Sequence, residues 1–182
     1  FDLLIDRGID INIKSKFRGT ALNFSIQSNN ETFFNRLIKL HSNHEITEEY
    51  SALLSTAIGA NNETAFNHFI KLPDYDDLTA KSRKPLLRRA VGSNNETAFN
   101  QFIEFPVFDD LNTLYGAQLI ERAVLNDNLT FVKRLIDKGV NLNTANHRGS
   151  TPLEIALREG FDDIAAYLIS KGADESLVRT FE

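Results

Sequence analysis

One phrase is written three times along the chain: SNNETFFNRLI at 28–38, ANNETAFNHFI at 60–70 and SNNETAFNQFI at 93–103. Its threonines, Thr32, Thr64 and Thr97, are followed by Thr130, at steps of 32, 33 and 33, and one more step of 33 falls on Asp163 within EGFDDIAAYLI. Ala57, Ala90, Ala123 and Ala156 keep the same step, as do Ile70, Ile103, Ile136 and Ile169. A fixed period of this size marks a stacked array. Each unit is one supersecondary element that cannot bury its apolar face alone and therefore leans on its neighbours.

Within a period the apolar spacing predicts two short helices. Leu53, Leu54, Ala57 and Ile58 share one helical face, and after the polar break Asn61-Asn62 so do Ala65, Phe66, Phe69 and Ile70. An Asn before a helix accepts from the free N–H groups of its first turn, and Glu63 then stands near the positive end of the helix dipole. NNET is thus a turn and helix start, and the apolar tail of the phrase is a packing face. Phe66, Phe69, Phe99 and Phe102 are expected in a stacked core rather than around a cofactor.

The 182 residues allow one large domain or one elongated array. Net charge is −5, which gives no overall basic footprint for nucleic acid or an anionic membrane, and no apolar run approaches the length of a membrane helix. FDLLIDRGID at the start carries charges inside its apolar stretch and lacks a signal-peptide layout. There is no Cys, so disulfides, thiol catalysis and Cys-ligated zinc are excluded within this chain, in keeping with a cytoplasmic setting. There is also no Met, even at position 1, and the chain is expected to be a fragment of a longer protein.

The segment NHRGSTPLEIALREGFDDIAAYLISKGADES, 146–176, closely resembles an ankyrin repeat. Gly149, Thr151, Pro152, Leu153, Ala156, Gly160, Ile164, Leu168, Gly172, Ala173 and Asp174 fall where that pattern has them, and Glu154 replaces the family's His. Thr151 caps a helix that Pro152 begins at a position where the missing N–H costs nothing, and Gly172 permits a left-handed helix end. Residues 112–144 match more loosely, through Gly116, Ala123 and LIDKGVNLN. The middle units depart most, with LPDYDD (72–77) and FPVFDD (105–110) where the family has a Gly-Ala-Asp turn.

The resemblance implies an all-α ankyrin-repeat solenoid, a right-handed curved stack of helix–turn–helix units with hairpin-like fingers. It divides the chain into a partial unit 1–12, whole units 13–45, 46–78, 79–111, 112–144 and 145–177, and a trailing partial unit 178–182. Leu177, Val178 and Phe181 look like the opening of another element.

No nucleophile–base arrangement stands out, and no catalytic residue, cofactor or metal is expected. His41 and His44 form an H-x-x-H pair without a third ligand in an obvious place. Asp76-Asp77 and Asp109-Asp110 recur at the same place in adjacent units, which favours turn chemistry over an acid–base site. The charged stretch AKSRKPLLRRA, 80–90, is more informative. By alignment Lys81, Ser82, Arg83 and Lys84 sit at a fingertip, with Arg88 and Arg89 following on the inner helix. In ankyrin arrays fingertips and inner helices form a concave binding surface, so the resemblance implies partner contacts from Lys81, Arg83, Lys84 and Arg88. Leu114 and Tyr115 on the next finger, and His147 and Arg148 (with Ser150) on the last, are implied contacts too. Tyr50 and Phe17 align near earlier tips. Arg122, Arg158 and Glu159 are lesser candidates. Glu48 and Glu49 occupy a neighbouring tip, so the face is mixed, which argues against nucleic acid.

The resulting expectation is a monomeric protein-binding module whose partner carries an acidic segment, with no nucleic-acid or membrane partner. The alternative is a scaffold or regulatory arm of a multidomain enzyme whose catalytic domain lies outside residues 1–182. Ankyrin arrays also occur in proteins that intracellular bacteria deliver into host cells, and 18 Asn residues with diverged middle units lean toward such an effector.

Overall fold

A computed structural model describes residues 10–15, 19–41, 43–109 and 111–179, apart from the side chains of 43–45, 47 and 48. Residues 1–9 of the leading partial unit, Phe17, Asp110, Phe181 and the side chains of His44 and Glu48 lie outside the described residues. Every regular element described is helical, and no helix there is long and apolar enough to cross a membrane. The chain forms two compact units, Phe1–Arg89 and Ala90–Glu182.

In the first unit, α1 (Ala21–Gln27), α2 (Glu31–Ile38), α3 (Asn43–Gly59) and α4 (Glu63–Phe69) form two helix pairs. Each pair turns on an Asn-Asn dipeptide, and its two residues divide the work. Asn29 and Asn61 take φ of 51°, a left-handed conformation that Asn tolerates better than most residues with a Cβ. Asn30 and Asn62 then cap the following helices by accepting from Phe33 N and Ala65 N. The predicted packing face is buried at Leu53, Leu54, Ala57, Ile58, Ala65, Phe66 and Phe69, with Ile70 half-buried. Phe34 of α2 meets Phe69 of α4 edge to face, with ring centroids 6.0 Å apart.

LPDYDD replaces the family's glycine turn by a different device. Leu72 is extended, Pro73 opens one 3-10 turn (Pro73–Tyr75), and Tyr75 drops into the core. FPVFDD repeats this with Phe105, Pro106 and a fully buried Phe108. Proline suits the first position of such a turn because its N–H would be unpaired there anyway. Helix α5 (Ala80–Gly92) follows the first of these turns and contains the boundary between the two units.

The second unit holds α6 (Glu96–Ile103), α7 (Leu114–Leu125), α8 (Leu129–Asp137), α9 (Pro152–Glu159) and α10 (Asp162–Ser170). Phe99 of α6 and Phe131 of α8 stack at 4.0 Å between centroids. Thr151 caps α9, Pro152 is its first residue, and Gly160, Gly139 and Gly172 carry left-handed φ of 76°, 80° and 92°. Glu154, in place of the family's His, is fully buried and accepts from Arg179 Nε at 3.0 Å, which ties the chain after Glu175–Leu177 back onto α9. The four alanines at the 33-residue step, Ala57, Ala90, Ala123 and Ala156, are all fully buried, as a close helix approach requires.

Candidate functional site

The 33-residue step sets Lys81–Lys84 against 147–150, which places them on a fingertip ahead of the helix. The structure corrects this. Helix α5 already begins at Ala80, ahead of those four residues, with Thr79 Oγ1 and its carbonyl accepting from Ser82 and Arg83. Pro85 inside the helix removes only the N–H that would have returned to the Lys81 carbonyl. Helix periodicity then sorts the cations. Lys81, Lys84 and Arg88, at i, i+3 and i+7, form one exposed stripe. Arg83 is half-buried and donates from Nη2 to the Asp76 carbonyl at 3.2 Å, so it braces the preceding turn rather than joining the stripe. Arg89 lies across the end of α3, where a Cβ on Gly59 would collide with its guanidinium.

Charge is concentrated on this helix. Residues 80–92 hold Lys81, Arg83, Lys84, Arg88 and Arg89 and no acidic residue, in a chain of net charge −5. Glu49, expected to make the neighbouring tip acidic, is engaged by Lys14 Nζ at 2.6 Å. Tyr50, aligned near a tip as a candidate contact, is instead a core residue of α3. Its hydroxyl donates to the Phe69 carbonyl at 2.9 Å, and burial, with Asp74 nearby, pushes its pKa up.

Between α3 and α5 runs a groove that the sequence reading missed. One part, about 580 Å³, lies among Ser51, Ala52 and Ser55 of α3 and Lys81, Ser82, Pro85 and Leu86 of α5. A second part, about 310 Å³, shares Ser55 and is lined by Thr56, Gly59 and Ala60 at the end of α3, Arg89 of α5 and Gln27 of α1. The available signal was small residues at 51, 55 and 59, one helical face of α3.

In the second unit, Leu114 and Tyr115 are not on a finger but in the first turn of α7, which Thr113 caps. Leu114 is 68% exposed, whereas Tyr115 is half-buried with its ring stacked on Phe108 at 6.2 Å. His147 and Arg148 do lie on a finger. Asn146 Oδ1 accepts from the N–H groups of Arg148 and Ser150, Asn146 N donates to the Ser150 carbonyl, and Gly149 turns the tip at φ 79°. Asn146 Nδ2 anchors this finger to Glu121 of α7 at 2.8 Å. His147 and Arg148 are exposed, while Ser150 is buried and accepts from Arg179. Arg122, Arg158 and Glu159 are exposed, the last two paired at 3.0 Å. The structure therefore brings together Lys81, Lys84 and Arg88 in one stripe and His147 with Arg148 on one finger. It diverts Arg83.

His41 Nδ1 donates to the Leu37 carbonyl at 2.8 Å, and no group of three His, Asp or Glu side chains able to hold a metal ion occurs among the described residues. Asp109 pairs with Lys138 at 2.9 Å, and the Asp76 backbone carbonyl receives Arg83.

Comparison with known proteins agrees with the helix pairs and their turns. The crystal structure of the ankyrin repeat domain of Bcl-3, described as a unique member of the IkappaB protein family, superposes with a TM-score of 0.60 at 20% identity, over 98% of this chain and 86% of that one. Protein phosphatase 1 regulatory subunit 27 from Homo sapiens and from Mus musculus is in each case 49% identical over 43 residues, which is 24% of this chain and 28% of the relative. The match therefore spans little more than a quarter of those relatives. The family description of ankyrin repeats, in three copies, fits residues 87–178, just over half of the 182 residues, and the chain belongs to the ankyrin-repeat family.

Proposed function

We propose that the chain is a protein-binding module whose contact surface includes the basic stripe of α5 and whose partner presents an acidic segment. The observation that carries this reading is the exposed stripe Lys81, Lys84 and Arg88 on a helix with no acidic residue, in a protein of opposite net charge. Such a local field speeds encounter with an acidic surface and disfavours basic ones. Leu114, His147 and Arg148 supply exposed contacts in the second unit, of the kinds that binding surfaces use. No chemistry within the chain is part of this reading, and the free chain is a monomer.

Affinity capture followed by crosslinking tests it, with the unaltered chain and a Lys84→Glu/Arg88→Glu variant run side by side. A partner that crosslinks to α5 and is lost with the variant supports the proposal. Partners captured equally by both chains overturn it.

A second reading has one observation in its favour. The 43-residue similarity is to a protein named as a regulatory subunit of a phosphatase. On that reading the array is a regulatory arm that docks onto an enzyme, and the captured partner is itself catalytic.

A further inference from the structure

We infer that the groove between α3 and α5 receives an extended segment of the partner, with two carboxylate side chains four residues apart and small residues between them. This rests on the protein-binding reading above and specifies what that site recognises.

The groove has a cation at each end and a floor of small residues. Lys81 borders the larger part, and Arg89 borders the smaller part beside Gly59. Eight residues of helix separate them, a rise of about 12 Å at 1.5 Å per residue. An extended chain advances about 3.3 Å per residue, so four residues cover about 13 Å. Two carboxylates at i and i+4 of an extended segment therefore match the two cations, one against an ammonium and one against a guanidinium. A helical partner would need about eight residues for the same span.

The floor accepts a backbone rather than bulky side chains. Ser51, Ala52 and Ser55 line the larger part, and Thr56 and Gly59 the smaller part. The Ser51 and Ser55 hydroxyls offer hydrogen bonds to a peptide backbone, Thr56, whose proton goes to the Ala52 carbonyl at 2.8 Å, can still accept, and the small size of all three leaves the volume open. Pro85 adds a feature on the opposite wall. Having no N–H to return to the Lys81 carbonyl, it deprives that acceptor of its usual helical donor beside the groove. Charge complementarity selects acidic residues over basic ones, because α5 holds five cations and no carboxylate, and no carboxylate among the described residues lines either part of the groove.

Gly59 supplies a variant that separates binding from folding. It lies in the last turn of α3, where Ala is the better helix former, yet its new Cβ would push the flexible Arg89 guanidinium aside.

The test uses fluorescence anisotropy with a labelled heptapeptide that has Glu at its second and sixth positions and Ala, Ser and Ala between. The expected result is saturable binding to the unaltered chain, weakened about tenfold when both Glu are replaced by Gln and about fivefold in Gly59→Ala or Ser55→Phe, whose thermal midpoints are measured in parallel. No saturable binding up to millimolar chain, or equal affinity for the Gln peptide, or equal binding by Ser55→Phe, overturns the inference. A captured partner that depends on Lys84 and Arg88 but ignores Ser55→Phe removes the groove while leaving the module reading standing. A partner indifferent to all four positions removes both.

Discussion

Asn62 bridges two helix pairs: its Nδ2 donates to the Ile26 carbonyl at 3.0 Å while its Oδ1 accepts from Ala65 N at 2.9 Å. One side chain thus caps its own helix and satisfies a carbonyl thirty-six residues back. The other asparagines of these turns extend the pattern. Asn29 reaches the Ala60 carbonyl at 3.1 Å, Asn126 the Val91 carbonyl at 2.7 Å, and Asn128 the Asn94 side chain at 2.7 Å. Five of the 18 asparagines, Asn29, Asn62, Asn94, Asn126 and Asn128, thus take part in cross-bracing between neighbouring helix pairs. Both groups bonded by Asn62 are buried, so losing it strands polar atoms away from water.

Asn62→Ala is expected to destabilise the chain by about 2–3 kcal/mol, the sum of a lost cap and an orphaned buried carbonyl. Asn62→Ser keeps the cap but falls short of Ile26, and is expected to lose about half as much. Urea unfolding of the three proteins checks this. Equal stabilities for Ser and Asn would show that the bridge to Ile26 contributes nothing.

Gly116 and Gly59 predict opposite outcomes for the same change. A Cβ on Gly116 would run into the Leu111 backbone carbonyl, whereas the obstacle at Gly59 is a flexible guanidinium. Leu111 is itself held, since its N–H donates to the Lys138 carbonyl at 2.9 Å. Gly116→Ala should therefore cost about 1–3 kcal/mol through overpacking. Gly59→Ala should be neutral or stabilising by up to about 1 kcal/mol. Thermal unfolding of the pair provides the check.

His68 makes stability depend on pH. Its ring stands edge to face against Phe34 and Phe69, at 5.8 and 5.7 Å between centroids, and burial, followed by the charge of Lys71, holds its pKa below the ordinary 6.5. Between that lowered value and 6.5 the unfolded chain binds the proton and the folded chain does not. Stability at this site is thus complete above pH 6.5 and declines as pH falls from 6.5 toward the lowered value. Replacement by Gln, which stands at the equivalent position 101, removes the effect. Urea midpoints for both proteins between pH 7.5 and 5, values chosen to span about one unit either side of the ordinary His range, should show the histidine chain losing ground to His68→Gln on acidification. Parallel curves would contradict this account.

The helical faces and caps were legible because the 33-residue step repeats them. Phe66, Phe69, Phe99 and Phe102 are buried as their spacing indicated, and Thr151, Pro152 and Gly172 occupy the places their chemistry requires. The turns after Leu72 and Phe105 were not legible. Proline excluded the glycine geometry but did not reveal that Tyr75 and Phe108 would be carried inward. The largest departure concerns the site. The 33-residue register carries the finger of 147–150 onto 81–84, yet Thr79 offers an earlier helix start, and Pro85 is accommodated inside α5. Consequently Lys81 and Lys84 join a helical stripe, and Arg83 points back to Asp76. Tyr50 was misplaced for a related reason: α3 begins at Asn43, upstream of the expected tip. The groove beside α5 depends on how two helices separate, which spacing within either one does not encode.

The most direct test of the account is calorimetric titration of the captured partner against the unaltered chain and against Lys84→Glu/Arg88→Glu. Both residues are exposed, so the variant should unfold within about 0.5 kcal/mol of the parent. The account predicts affinity reduced about tenfold or more in the variant, with a parent affinity that weakens as salt rises. Identical affinities in a variant of unchanged stability would contradict it.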